Sequence, residues 1–178
     1  TQRLIVINVA VHILVHFLGL KIIYTGCFLE PYTMFSQPWR LITCTFLHAN
    51  FSHIFFNMYA LYFFGMLTER VLGPTRMLIL YLSSGLIGSL IWGMFCTGSL
   101  VGASGAVFGV MTAAAIAYPN ARCSILFLPG SIKLWVMMVI YVVYEILSLG
   151  GGDNIAHLAH LGGALGGLIF MRRLGYMR

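Results

Sequence analysis

Residues 77–121 read MLILYLSSGLIGSLIWGMFCTGSLVGASGAVFGVMTAAAIAYPNA, 45 consecutive residues without Asp, Glu, Lys or Arg. As one straight helix the stretch would run ~68 Å at 1.5 Å per residue, against a bilayer hydrocarbon core of ~30 Å. It must fold back at least once inside an apolar medium. Near its middle stands Gly102-Ala103-Ser104-Gly105. A serine between glycines is ordinary in a soluble loop, but here it is a polar group set in or beside lipid.

The rest of the chain has the same character. Of its 178 residues 60% are hydrophobic and only 8% charged, where a soluble domain carries roughly a quarter charged residues. Most of the surface must therefore meet lipid or other buried helices, and the chain reads as an all-α polytopic membrane protein. Six transmembrane helices are expected, at Leu4–Leu20, Ser52–Thr68, Thr75–Phe95, Ser104–Tyr118, Ile132–Leu149 and Asn154–Arg172. They are separated by Gly73-Pro74, Gly98 to Gly102, Pro119-Asn120, Pro129-Gly130 and Gly150-Gly151-Gly152. The whole of 1–178 is expected to form a single membrane domain, with no soluble domain. The connection from Lys21 to Phe51, with Pro31, Pro38, Trp39 and Arg40, is too long for a turn and reads as a partly structured segment at the interface. A cleavable signal peptide is not expected, since Leu4–Leu20 carries His12 and His16 and lacks an Ala-x-Ala-like site.

Orientation follows from the basic residues. With six spans and a cytoplasmic N-terminus, Arg3, Arg70, Arg76, Arg122, Lys133, Arg172, Arg173 and Arg178 fall on one side, and only Lys21 and Arg40 on the other. That is the positive-inside pattern, and it places both termini in the cytoplasm. The net charge of +6 is absorbed by this bias, and without a folded basic reading surface nucleic acid is not an expected partner.

In this topology spans two, four and six all run from outside to inside. Ser104 then lies near the outer end of span four, His53 and Asn57 in the first turns of span two, and His160 six residues past Asn154, ~9 Å along span six. At 15 residues, ~22 Å, span four is short for the bilayer, so its outer end should be recessed. Irregular backbone leading into it is tolerated only where protein buries it or water reaches it, and a water-lined cavity at Ser104 follows. A serine hydroxyl needs an adjacent base, usually histidine, to act as a nucleophile. The Ser104 amide, at a helix N-terminus, can donate to a developing oxyanion. His53 and Asn57, four apart, share one helix face and can donate towards the same point. The pattern is not Gly-x-Ser-x-Gly, because Ala106 takes the last place, and no strand is evident. An α/β-hydrolase elbow is excluded.

Together, Gly102-Ala103-Ser104-Gly105 on a short span, His53-x-x-x-Asn57 on span two and Ala159-His160-Leu161-Gly162-Gly163 on span six resemble the rhomboid family of intramembrane serine proteases. Trp39-Arg40, His48, Glu69-Arg70 and Gly73 are similar to that family as well. The resemblance runs from about Trp39 to Gly167. It implies a six-helix bacterial core with a short central fourth helix, Ser104 as nucleophile, His160 as general base in a dyad without an essential acid, and an oxyanion site of the Ser104 amide, His53 and Asn57. It further implies transmembrane protein segments as substrates, no cofactor, and residence in a bacterial inner membrane. His157 is the alternative base. His160 fits the family-like His-x-x-Gly-x-x-x-Gly through Gly163 and Gly167, small residues that allow close approach to Gly105 and Gly109 on span four.

Other polar groups receive plainer readings. His12 and His16 have a spacing that can bind metal, but no third ligand is evident and no metal is expected. Glu145 lies inside span five, where an ionisable residue is a functional candidate by default; no catalytic role is assigned to it. Asp153, ~10 Å from His160 along a helix, is a poor third triad member. His48 reads as a structural anchor of its loop. Cys27, Cys44, Cys96 and Cys123 show no metal spacing, and their pairing is open. Two other functions remain, a catalytically silent rhomboid-like protein that binds membrane clients and a histidine-rich transporter.

Overall fold

The structure is a computed structural model that describes residues 1–124, 130–151 and 155–177. Expectations resting on Pro129, Gly152, Asp153, Asn154 and Arg178 lie outside the described residues. In chain order the helices are α1 (Gln2–His16), α2 (Lys21–Cys27), α3 (Arg40–Thr43), α4 (Phe51–Phe95), α5 (Ser104–Ala117), α6 (Leu134–Leu147) and α7 (His157–Arg173). Short 3-10 turns at Pro31–Thr33 and Cys44–Phe46 flank α3.

The expected break at Gly73-Pro74 falls inside α4, whose 45 residues are continuous except at Gly73 (φ 75°, ψ 166°). That backbone lies in a region L side chains rarely adopt. Pro74 then opens the second half, where its missing N–H costs nothing. Asn50 caps the first half, its Oδ1 accepting from the His53 amide at 2.9 Å.

Several element ends differ from the sequence reading, and the first half of α4 runs past Thr68 to the Gly73 break. The first helix stops at His16 rather than Leu20, and the chain turns through 119° into α2; Gly19, at φ 69°, supplies the turn. The last helix begins at His157, so His160 sits in its first turn rather than ~9 Å along it. Ile132 and Lys133 pair antiparallel with Cys123 and Arg122 as β2 (Ile132–Lys133) and β1 (Arg122–Cys123). This short ladder replaces the expected first turn of the fifth span and is tied by Arg122 donating to Ser131 Oγ at 2.9 Å.

Among the described residues α4 is the one helix long and apolar enough by itself to cross a membrane; α1 with α2 passes only as a bent pair, and α5 and α6 are apolar at 14 residues each. The centre is formed by α5, α7 and the second half of α4, brought together through glycine. A Cβ on Gly163 or Gly167 would overlap the carbonyl of Gly105 or Gly109 on α5, while one on Gly162 would meet Gly88 Cα of α4 at 2.9 Å. Two glycine rows on α7 thus face two different neighbours. Bare backbones in contact gain dispersion along their whole length, the attraction left when lipid removes the hydrophobic drive between helices. α6 packs on α5 and α7 and exposes Val139, Ile140, Val143 and Ile146.

The Lys21–Phe51 segment is structured, as expected, with Tyr32, Phe35 and Trp39 exposed. Its scaffold is Arg40, 8% exposed, which donates to the Phe28 carbonyl at 2.6 Å and to Gln37 Oε1 at 2.5 Å. All four cysteines carry free thiols.

Candidate active site

Ser104 is the first residue of α5, so its amide has no intrahelical acceptor. The strand of chain leading into it is held from three sides by the Lys21–Phe51 segment. Leu29 and Leu100 exchange backbone hydrogen bonds at 3.0 and 2.8 Å, Gly102 N–H donates to the Cys44 carbonyl at 3.0 Å, and Ala103 N–H makes a long 3.5 Å bond to His48 Nε2. His48 is thus a loop anchor, 1% exposed. Gly102 has φ 129°, and a Cβ there would stand 2.7 Å from His53 Cε1 and Nε2 and 3.7 Å from Ser104 Oγ. Only glycine fits between the His53 ring and the serine.

The hydroxyl of Ser104 lies 2.7 Å from His160 Nε2, at the ordinary length for a hydrogen bond. Phe108, one turn further along α5, stacks on the His160 ring with centroids 4.6 Å apart and planes within 6°. His157 does not share this contact. Its Nδ1 lies 2.5 Å from Glu145 Oε2, while His160 Nδ1 lies 3.0 Å from Glu145 Oε1. If Ser104 donates to Nε2, His160 carries its own ring proton on Nδ1, facing the carboxylate.

Glu145, a functional candidate given no catalytic role from the sequence, is the group that stands behind His160. It is 3% exposed on a helix whose other buried residues are Leu134, Met137 and Met138. The available signal was a lone carboxylate inside an apolar span, but no periodicity ties α6 to a particular residue of α7.

His53, Asn57, Ser104 and His160 line one cavity of about 1410 Å³. The Asn57 amide donates to the His53 carbonyl at 2.9 Å, leaving its second N–H for another acceptor. From these polar groups the cavity continues past Tyr59, Phe63 and Met66 on α4 to Met137 and Tyr141 on α6. This is polar chemistry at one end of an apolar groove between two helices that do not pack closely on each other.

As to cations, the ligand atoms of Glu145, His157 and His160 lie within 4.8 Å of one another. A cation on His160 Nδ1 would force the ring proton onto Nε2 and remove the lone pair facing Ser104. The trio can serve a metal or a base, not both at once. His12 and His16 rings lie 4.3 Å apart, and His16 Nε2 bonds instead to the His48 carbonyl at 2.9 Å.

Comparison with known proteins gives a family. The Rhomboid domain model matches residues 36–176. The chain is 34% identical over 144 residues to rhomboid protease GluP of Bacillus subtilis, covering 79% of this chain and 27% of that protein. It is 35% identical over 140 residues to putative rhomboid protease YdcA of the same organism, covering 75% and 66%. To Rhomboid-like protease 1 of Toxoplasma gondii it is 34% identical over 164 residues, covering 89% and 52%. The chain thus spans between about a quarter and two thirds of the length of these relatives. With the motifs, the helical bundle and this match in agreement, the chain belongs to the rhomboid family and is an integral membrane protein of several helices.

Proposed function

We propose that this chain is an intramembrane serine endopeptidase that cleaves transmembrane segments of other membrane proteins. The observation that carries the reading is the 2.7 Å contact between Ser104 Oγ and His160 Nε2 at the polar end of an apolar groove. Residues 1–178 act as one domain with six spans, the two halves of α4 counting separately. Both termini face the cytoplasm of a bacterial cell, in line with Arg3 at the start of α1, Arg70 and Arg76 beside the Gly73 break of α4, Arg122 and Lys133 between α5 and α6, and Arg172 and Arg173 at the end of α7. Relatives named as proteases support the activity.

A substrate helix enters laterally between the first half of α4 and α6, and its end unwinds over the site, since a helical peptide bond is shielded by its own hydrogen bonds. Ser104 attacks the carbonyl while its proton passes to His160 Nε2. The tetrahedral oxyanion is held by the Ser104 amide, the His53 ring and the free Asn57 N–H. His160 returns the proton to the leaving amine, and cavity water then hydrolyses the acyl-enzyme. The chemistry needs no cofactor.

The test is labelling of detergent-solubilised protein by a fluorophosphonate. Wild type should label, Ser104→Ala and His160→Ala should not, and His157→Ala should retain labelling. Labelling lost with His157→Ala but kept with His160→Ala would move the base one turn along α7. A folded wild type that neither labels nor cleaves a transmembrane substrate would overturn the protease reading in favour of a silent client-binding protein.

A further inference from the structure

Glu145 is a buried carboxylate whose place in the fold the dyad leaves unexplained. An isolated carboxylate in an apolar interior is strongly disfavoured unless it is paired and hydrogen-bonded. Here each of its oxygens meets one ring nitrogen, Oε1 at His160 Nδ1 (3.0 Å) and Oε2 at His157 Nδ1 (2.5 Å). Ser104, His160, Glu145 and His157 therefore form one continuous line across α5, α7 and α6. A serine–histidine pair without a third group fixes the imidazole only by stacking and packing, so its tautomer and rotation are not set by a hydrogen bond.

We infer that Glu145 is a positioning residue for His160, holding its ring proton on Nδ1, with His157 clamping the carboxylate from the other side. The inference rests on the Ser104–His160 reading above. In the resting state Nδ1–H donates to Oε1, which leaves the Nε2 lone pair aimed at Ser104. When Nε2 takes the serine proton, the ring becomes an imidazolium next to a carboxylate that is already in place. The attraction is stronger in that state than in the resting one, so it favours the transition state over the ground state. Glu145 itself neither gains nor loses a proton. His157 donates through Nδ1 to Oε2, and this second bond fixes the carboxylate plane. The two histidines on successive turns of α7 thus have different tasks, one towards the serine and one towards the acid.

A purely structural Glu145, tying α6 to α7, would predict a different outcome on mutation. Glu145→Gln keeps the shape and an oxygen that can accept from Nδ1–H, but removes the charge. In the full chain, the expected result is a fall in kcat for a transmembrane peptide on the order of 10- to 10²-fold, a part of the 10²–10⁴ that a positioned base supplies. KM should stay within about twofold, because the substrate groove is untouched. Fluorophosphonate labelling, which bypasses substrate binding, should slow by the same factor, and His157→Gln should slow it less. Wild-type kcat in folded Glu145→Gln, or a change confined to KM or thermal stability, would overturn the inference. If that variant fails to fold, ¹⁵N-histidine NMR of wild type decides: the His160 signals, assigned by their loss in His160→Gln, should show a protonated Nδ1 and a bare Nε2. The opposite tautomer would overturn it. Failure of the underlying reading looks different: folded wild type would then fail to label and cleave, or Ser104→Ala would keep the wild-type labelling.

Discussion

Gly163→Ala tests whether the helix contact sets the Ser104–His160 distance. A Cβ at Gly163 would overlap the Gly105 carbonyl oxygen and stand 2.9 Å from Gly105 Cα. Restoring an ordinary ~3.5 Å carbon–carbon contact parts the two helices by at least ~0.6 Å, and by on the order of 1 Å once the carbonyl is cleared. Gly105 follows Ser104 directly, and His160 lies one turn before Gly163 on α7. The parting is therefore passed to the 2.7 Å contact, which at ~3.7 Å is no longer a hydrogen bond. A misplacement of about 1 Å can cost ~10²-fold in rate, and that is the expected fall in fluorophosphonate labelling of protein still folded by its thermal transition. Gly26→Ala is the control, because nothing stands within 4 Å of a Cβ there. Wild-type labelling by a stable Gly163→Ala would show that the site tolerates separation of α5 and α7, and the reasoning would fail.

Three other outcomes follow from neighbouring contacts. Phe108→Leu loses the stacking on His160, a pairing of about 0.5–1.5 kcal/mol, so labelling should slow about 2- to 10-fold while Phe108→Tyr stays near wild type. Asn57→Ala should lower kcat on the order of 10²–10³-fold if its free N–H meets the oxyanion; an unchanged kcat would remove it from that site. His48, between the 3-10 turn and α4, has its pKa pushed from 6.5 down to about 3 by burial and then by nearby His53. Its folded value is below its unfolded value, so its contribution is fully present above pH 6.5 and lost as pH falls from 6.5 towards 3. The loss is on the order of 3 kcal/mol by pH 4.5. Unfolding in detergent should therefore become easier over that range, and His48→Gln should flatten the slope; equal slopes in both proteins would refute it.

The elements were largely legible because the signals that make them are local. The break at Gly73-Pro74, the start of α5 at Ser104 and the facing of Gly163 and Gly167 towards Gly105 and Gly109 all follow from residue type and helical spacing. The short β1–β2 pair was not legible, since two-residue strands have no period to read. The scaffold role of the Lys21–Phe51 segment was hidden as well. Its hold on Ser104 runs mainly through backbone groups of Leu29, Cys44, Leu100 and Gly102, and backbone hydrogen bonds leave little trace in side-chain sequence.

By itself the sequence determined a lipid-facing helical chain, its family likeness and the residue types able to do acyl transfer, because hydropathy and helix period act over a few residues at a time. Only the tertiary structure decided which histidine meets Ser104, and that Glu145 stands behind it. Those contacts join residues 56, 15 and 12 positions apart, on helices whose mutual rotation is set by glycine packing rather than by any pattern within one helix.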